Sequence, residues 1–455
     1  MTDSYPCTTR EHESAELFGF ISRLEPCSLI GISNVGKSTL MRLLCDPETQ
    51  RRHLGADAER LALIYIDCNR MLEMSDQGFY ELVLRCTLDQ FAELGERGGL
   101  KASVRAAYEA LVSPPSPFHV PLSFNQAITA LTSHPDRQLV FLFDEFDSPL
   151  AQIEGRLLLN LRALRDQYPG RLTYVTATDR RLSEIRNDEE VAEFNELFAH
   201  HRYYLGPLNA ADARCFIASF TRREPVTFDE TDIAFILEWS GGHPGLLEAV
   251  CRELGAVTGQ PVRDPTQNRI IHRQVAERIP SSLNVRSECT KIWRNLDPSE
   301  QAALLALGAP GQQIDAAALA SLEQKGVLYS NHEEQRLFAR AFSEFVQRQR
   351  LLQRTETRGI VVDVDAGEVY VDGRPTPPLT NLEYRLLLLL YGHMGKICDK
   401  YQVVQAVWGE AYLDEVDDAR IEKLVSRLRQ KIEPDPMNPR YLLTIRGRGY
   451  RLVGG

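Results

Sequence analysis

The chain has 455 residues, enough for roughly three or four domains, and its 43% hydrophobic and 25% charged fractions are those of ordinary globular proteins that build cores without staples. A formal net charge of -11 argues against blanket nucleic-acid binding, which relies on a basic excess to release counterions, so any DNA contact has to be local. No apolar run is long enough to cross a bilayer, and the stretch Met1 to Glu16 is polar and carries acids, so no membrane partner and no secretory leader are expected and the cytoplasm is the expected compartment. The nine cysteines are scattered without a Cys-x-x-Cys pair, which points to reduced thiols.

Up to about residue 205, short apolar runs alternate with longer amphipathic stretches, the pattern of a parallel α/β sheet. Strands are predicted at Ser28 to Gly31, Leu61 to Asp67, Leu139 to Asp144 and Leu172 to Thr176. Residues 206–282 read as helical, and 283–352 as short helices followed by a small hairpin. A separate module over 353–455 opens with two β-like runs, Ile360 to Val364 and Glu368 to Val371, and continues as a helical unit with a β ending.

Within the first block, Gly31-Ile32-Ser33-Asn34-Val35-Gly36-Lys37-Ser38 follows an apolar strand and opens the helix-like stretch Thr39 to Cys45. That context is the one a P-loop requires. Its glycines let backbone N–H groups curl around a β-phosphate, Lys37 neutralises β and γ oxygens, and Ser38 offers a hydroxyl to Mg²⁺. Gly31, Ser33, Asn34, Val35, Gly36, Lys37, Ser38 and Thr39 are therefore candidate ATP contacts. About a hundred residues on, Leu139-Val140-Phe141-Leu142-Phe143 runs into Asp144 and Glu145, a buried strand ending in two acids that looks like a Walker B motif. Asp144 would hold the metal with Ser38, and Glu145 would orient and activate the attacking water. Asp147 has two readings, a third acid near the metal or a helix N-cap.

With these motifs in place, residues from about 8 to 350 resemble the AAA+-related ATPases grouped as STAND and archaeal-type ATPases. Arg10-Glu11-His12-Glu13 is similar to the family's Arg-x-x-Glu element, with Thr9 where the family has glycine, and the resemblance implies that Arg10 and Glu13 frame the adenine. Thr176-Ala177-Thr178-Asp179-Arg180 resembles the strand that reads the γ-phosphate, which implies Thr178 as a donor and Arg180 as a charge stabiliser in cis or trans. For Arg180 and Arg181 the alternative is a solvated surface arginine. Gly241-Gly242-His243-Pro244-Gly245 is similar to the family's lid signature, implying that Pro244 and the helix behind it close over the nucleotide. His243 is open to two readings, a phosphate sensor or a packed turn residue. The resemblance also implies that the segment after Asp297 is an internal winged helix that gates the ATPase.

In the last hundred residues, Leu379-Thr380-Asn381-Leu382-Glu383-Tyr384, then Val407-Trp408-Gly409, resemble the OmpR/PhoB-type effector domain, with Trp408 in the core. The stretch Ala419 to Ile432 keeps Ile421, Leu424, Val425, Leu428 and Ile432 at helical period, leaving Arg420, Lys423, Arg427 and Lys431 as a cationic stripe suited to the major groove. Charged helix faces are usually only solvated. Here Tyr441 to Leu452 follows, similar to the family's terminal hairpin, with Arg446 and Arg448 in a glycine-turned wing that touches phosphate or the minor groove. No receiver-like stretch precedes Ile360; the ATPase stands in the input position.

The expected fold class is therefore multidomain: an α/β P-loop NTPase (1–205) with a helical lid (206–282), an internal winged helix (283–352) and a C-terminal α+β winged helix-turn-helix (353–455). The expected function is an ATP-dependent DNA-binding regulator, a slow ATPase with Mg²⁺, binding double-stranded DNA as a homo-oligomer. The alternative is an ATPase of a DNA-processing, mobile-element or defence system that uses the winged helix to reach DNA or a protein partner.

Overall fold

The apolar runs of the N-terminal block become one five-stranded sheet in the order β2-β3-β4-β1-β5, with β1 Cys27–Ile30, β2 Leu61–Asp67, β3 Gln138–Asp144, β4 Leu172–Thr178 and β5 Arg202–Tyr204. Every neighbouring pair is parallel. Parallel strands need crossover helices and are covered on both faces, which is why β4 is buried at every residue and β3 at all but its first. The edge strand β2 instead alternates between buried and half-buried, leaving Tyr65 half-exposed. The computed structural model describes residues 10–93, 99–133, 137–257, 265–307, 314–330, 335–354, 359–363, 368–409 and 418–453. Thr9 and Cys7 lie outside them.

A core of large side chains holds the sheet to the helices Asp76–Glu93, His119–Thr132 and Gly155–Gln167. Phe143 stacks on Phe146 at 5.4 Å between ring centroids, and Tyr80 lies 4.3 Å from Phe124. Because all five strands point one way, the residues that leave their carboxyl ends emerge on one edge. Gly31 has left β1 as a turn, and its N–H bonds the Thr178 carbonyl at 3.1 Å. Asp144 sits level with Asp67, and Thr178 with Ile30. Ligands bind in the crevice outside such carboxyl ends.

The chain clusters into two compact units, Met1–Glu344 and Phe345–Gly455. After the sheet, the first unit continues as the helices Ala210–Arg223, Glu230–Ser240, Pro244–Gly255 and Pro265–Arg278. Three more, Leu283–Asn295, Pro298–Ala306 and Ala316–Gln324, precede an antiparallel hairpin, Leu328–Ser330 with Gln335–Leu337. Asp297 caps the second of these through a reciprocal capping box with Glu300, whose buried carboxylate also takes both contacts of the buried Lys325 ammonium, at 2.6 and 2.8 Å.

The second unit is a winged helix. A three-stranded antiparallel sheet (Ile360–Asp363, Glu368–Val371, Arg374–Pro375) precedes the helices Asn381–Gly392, Lys400–Val407 and Asp418–Ile432 and the hairpin Leu442–Ile445 with Gly449–Leu452. Its core takes the five predicted apolar residues of the Asp418–Ile432 helix, and Trp408 packs against it, partly buried. No described helix is long and apolar enough to cross a membrane. Among the described cysteines seven are free thiols, but Cys215 is disulfide-bonded, a correction to the reduced set that scattered sequence positions do not disclose.

Candidate functional site

The loop after β1 folds tightly because two of its residues adopt left-handed backbone: Asn34 at φ 59 and Gly36 at φ 108. Gly36 does so without strain, and it caps the helix Lys37–Leu44. Lys37 is 5% exposed. Its ammonium donates to the Gly31 carbonyl at 2.8 Å and pairs with Asp179 Oδ1 at 2.5 Å. Asp179, the residue after β4, is thus the group that reaches Lys37, whereas the buried Thr178 hydroxyl donates to the Arg180 carbonyl at 2.7 Å.

At the end of β3, Asp144 is buried and accepts the Tyr65 hydroxyl at 2.6 Å. Burial, and then this bond, raise the Tyr65 phenol. Glu145 takes a left-handed φ of 54 and lines the cavity beside Lys37. Burial pushes its carboxyl above the usual range; Lys37 opposes the shift, while Asp144 and Asp179 add to it. Asp147 is pushed up to about 6 by burial and then by Asp179, whose N–H it accepts at 3.1 and 3.2 Å.

Opposite the loop, Gly241 and Gly242 turn with φ 58 and 78. A Cβ there would lie 2.0 Å from the Phe338 carbonyl oxygen and 2.3 Å from that of Leu208, so the turn admits no side chain. It delivers His243, fully buried, as N-cap of the helix Pro244–Gly255. Nδ1 accepts the Leu246 N–H, which leaves the proton on Nε2 for the Ser33 carbonyl at 2.9 Å. Burial lowers the imidazole to about 4, so it is neutral near pH 7. The buried Arg10 guanidinium donates to Glu13 at 2.8 Å, to the Val35 carbonyl at 2.8 Å and to the Gly206 carbonyl at 2.9 Å.

Between the loop and the helices Pro244–Gly255 and Leu283–Asn295 lies a cavity of about 550 Å³. Asn34, Gly36, Lys37, Ser38, Thr39 and Pro244 are among its walls, whereas Gly31, Ser33, Val35, Arg10, Glu13, His243, Asp144, Thr178 and Arg180 are not. Its size is that of a small-ligand site. A buried ammonium and a loop of backbone donors at a helix N-terminus fit a phosphate. A single buried carboxylate, Asp144, and the half-buried Ser38 suit Mg²⁺, which keeps few protein ligands and leans on phosphate oxygens. Sequence reasoning missed Asp179, Tyr65 and Asn295. Asp179 adjoins the residue that was singled out, but Asn295 lies 262 positions from its partner Ser33, and no local signal announces it.

In the second unit, Arg420, Lys423 and Arg427 are exposed along the Asp418–Ile432 helix, and Arg446 and Arg448 are exposed in the hairpin turn. Lys431 departs from the expected stripe. Its ammonium is bound to Glu383 at 2.7 Å and to the Pro378 carbonyl at 2.7 Å, because Glu383, buried as the capping partner of Thr380, needs a cation. Arg429 ties the helix to the hairpin through the Leu442 carbonyl at 2.7 Å and Thr444 Oγ1 at 2.8 Å.

Residues 373–452 match the family described as transcriptional regulatory protein, C terminal. This C-terminal unit is an OmpR/PhoB-type DNA-binding domain. The sensory transduction protein RegX3 of Mycolicibacterium smegmatis is 40% identical over 100 residues, 22% of this chain and 42% of that protein. The uncharacterized transcriptional regulatory protein YcbL of Bacillus subtilis is 39% identical over 93 residues, 20% of this chain and 40% of that one. The chain thus spans about two fifths of the length of these curated relatives. Among solved structures, the Walker-type ATPase PABY2304 of Pyrococcus abyssi is similar over 76% of this chain and 97% of its own, at 16% identity and a TM-score of 0.49.

Two outcomes follow from these contacts. His243 is lowered from 6.5 to about 4 on folding, so the unfolded chain binds the proton first, and stability present above pH 6.5 is lost as pH falls toward 4. The loss amounts to about 3 kcal/mol. Asp147 acts oppositely over part of this interval, since its raised carboxyl gains from protonation. The His243 contribution is therefore the difference in urea-unfolding free energy between wild type and His243→Asn, which caps without titrating; parallel pH profiles would remove it. Lys431→Ala should cost about 1 to 2 kcal/mol of stability while leaving DNA affinity per folded molecule unchanged, read by denaturation and by fluorescence anisotropy.

Proposed function

We propose that this protein is a nucleotide-controlled DNA-binding regulator, in which ATP with Mg²⁺ in the Lys37 cavity sets the conformation or oligomeric state of residues 1–350. That state determines how many C-terminal domains reach double-stranded DNA together. One observation carries the reading: a single chain joins a buried loop lysine at the carboxyl edge of a parallel sheet to a transcriptional-regulator DNA-binding domain. Each extra domain held on the same DNA multiplies affinity through effective concentration.

In this reading Lys37 and the loop N–H groups bind the phosphates, while Ser38 and Asp144 hold Mg²⁺, with Tyr65 fixing the Asp144 carboxylate. Bound Mg²⁺ would neutralise charge developing on the phosphate oxygens. Glu145, raised by burial, takes the proton of the attacking water; a raised carboxyl is a better base near neutrality. Turnover is slow, as suits a switch. Arg180, which makes no side-chain hydrogen bond or ion pair among the described residues, is available as a charge stabiliser in cis or toward a second copy. Within the P-loop ATPases, the Arg10-x-x-Glu13 element and the Gly241 to Gly245 turn favour the STAND branch. The four-part division at 205, 282 and 352 then assigns a lid and an internal winged helix. On DNA, Arg427 reads a base, Arg420 and Lys423 flank it, and Arg446 and Arg448 hold phosphate or minor groove.

Lys37→Ala should abolish nucleotide-dependent changes in size and DNA affinity, measured by light scattering and anisotropy with ATP, ADP and a non-hydrolysable analogue in parallel. Identical behaviour in all nucleotide states of the wild type would remove the switch. Arg427→Ala should cost about 1 to 3 kcal/mol of binding and relax preference at one base pair; an equal loss on every sequence would make it a phosphate contact.

A further inference from the structure

Two donors of this loop, one from the backbone and one from a side chain, are engaged by the protein's own acceptors. The Ser33 backbone N–H donates to Asn295 Oδ1 at 2.6 Å, and the Lys37 ammonium to Asp179 Oδ1 at 2.5 Å. The two acceptors are themselves linked, because Asn295 Nδ2 donates to Asp179 Oδ2 at 2.7 Å. A closed ring results, running from loop backbone to the end of the Leu283–Asn295 helix, to the end of β4, and back to the loop lysine. The same helix grips the loop again seven residues earlier, two turns away and hence on the same face, where Asn34 Nδ2 donates to Glu288 Oε2 at 2.7 Å. Gly245 leaves room for that carboxylate, since a Cβ there would lie 2.3 Å from Glu288 Oε2.

We infer that Asn295, with Glu288 behind it, is a phosphate-displaceable latch, so that the position of the Leu283–Asn295 helix reports whether phosphate occupies the loop. The inference rests on the nucleotide reading above and deepens it. A carboxamide oxygen and a carboxylate oxygen stand where phosphate oxygens would compete, and the Ser33 N–H and the Lys37 ammonium cannot serve both sets fully. Entry of a phosphate therefore releases Asn295 from Ser33 and Asp179 from Lys37, so the helix loses its hold on the loop at the end that leads through Leu296 into the capped Pro298–Ala306 helix. By linkage, whatever the latch takes from nucleotide affinity, nucleotide takes from the latch. No covalent step is involved; the coupling is an exchange of hydrogen-bond partners.

The test uses the full-length protein and ADP or ATP with Mg²⁺ as probes, in two readouts. Isothermal titration should show Asn295→Ala binding nucleotide several-fold more tightly than wild type. Hydrogen exchange should show amides near the end of the Leu283–Asn295 helix speeding up in wild type when nucleotide is added, and already fast in Asn295→Ala without it. Glu288→Gln, which keeps the shape and weakens the second grip, should shift both readouts the same way by less, and serves if Asn295→Ala folds poorly. Unchanged or weaker affinity in the variants, with wild-type binding intact, would overturn the latch alone. No binding to the wild type would overturn the nucleotide reading and the latch with it.

Discussion

A cation taken out of water needs an anion and acceptors around it, and Lys37 imposes that requirement on the whole first unit. Its ammonium is buried where β1 turns into a helix, so the fold has to bring negative groups to that point. The parallel sheet does so by directing the ends of β3 and β4 to one edge, which places Asp144, Glu145 and Asp179 around it. Burial raises the Glu145 and Asp147 carboxyls, and the neighbouring acids add to both shifts. In the proposed reading a phosphate would satisfy the same cation in place of Asp179.

The same rule explains why distant segments converge on the loop. Its carbonyls are exposed by the left-handed turn and must be satisfied. Val35 is satisfied by Arg10 from the start of the chain, and Ser33 by neutral His243 from the Gly-Gly turn. Its N–H groups draw Asn295 from still further along. Each contact satisfies a backbone group of the loop, and together they tie it to segments far apart in the chain.

In the DNA-binding unit, the distribution of cations follows from the same accounting. Glu383 is buried by its capping role and claims Lys431, and the hairpin's Leu442 carbonyl claims Arg429. Arg420, Lys423 and Arg427 stay exposed on one helix face, and Arg446 and Arg448 in the hairpin turn. A chain with a net charge of -11 can thus present a local positive surface to DNA.

Much of this protein was legible in its sequence, because strand burial, P-loop spacing and helical period are local properties. The apolar runs became β3 and β4, the apolar set from Ile421 to Ile432 became core, and Trp408 packed against that core as the family resemblance implied. Partner choice was not legible. That Asp179 meets Lys37, that Arg10 braces Val35, that Lys431 turns inward to Glu383 and that Asn295 reaches Ser33 across 262 positions were decided only by the tertiary fold. Local pattern determines which face of an element is buried, but the partner of a buried charge is set by which other elements end beside it, and spacing along the chain carries no record of that.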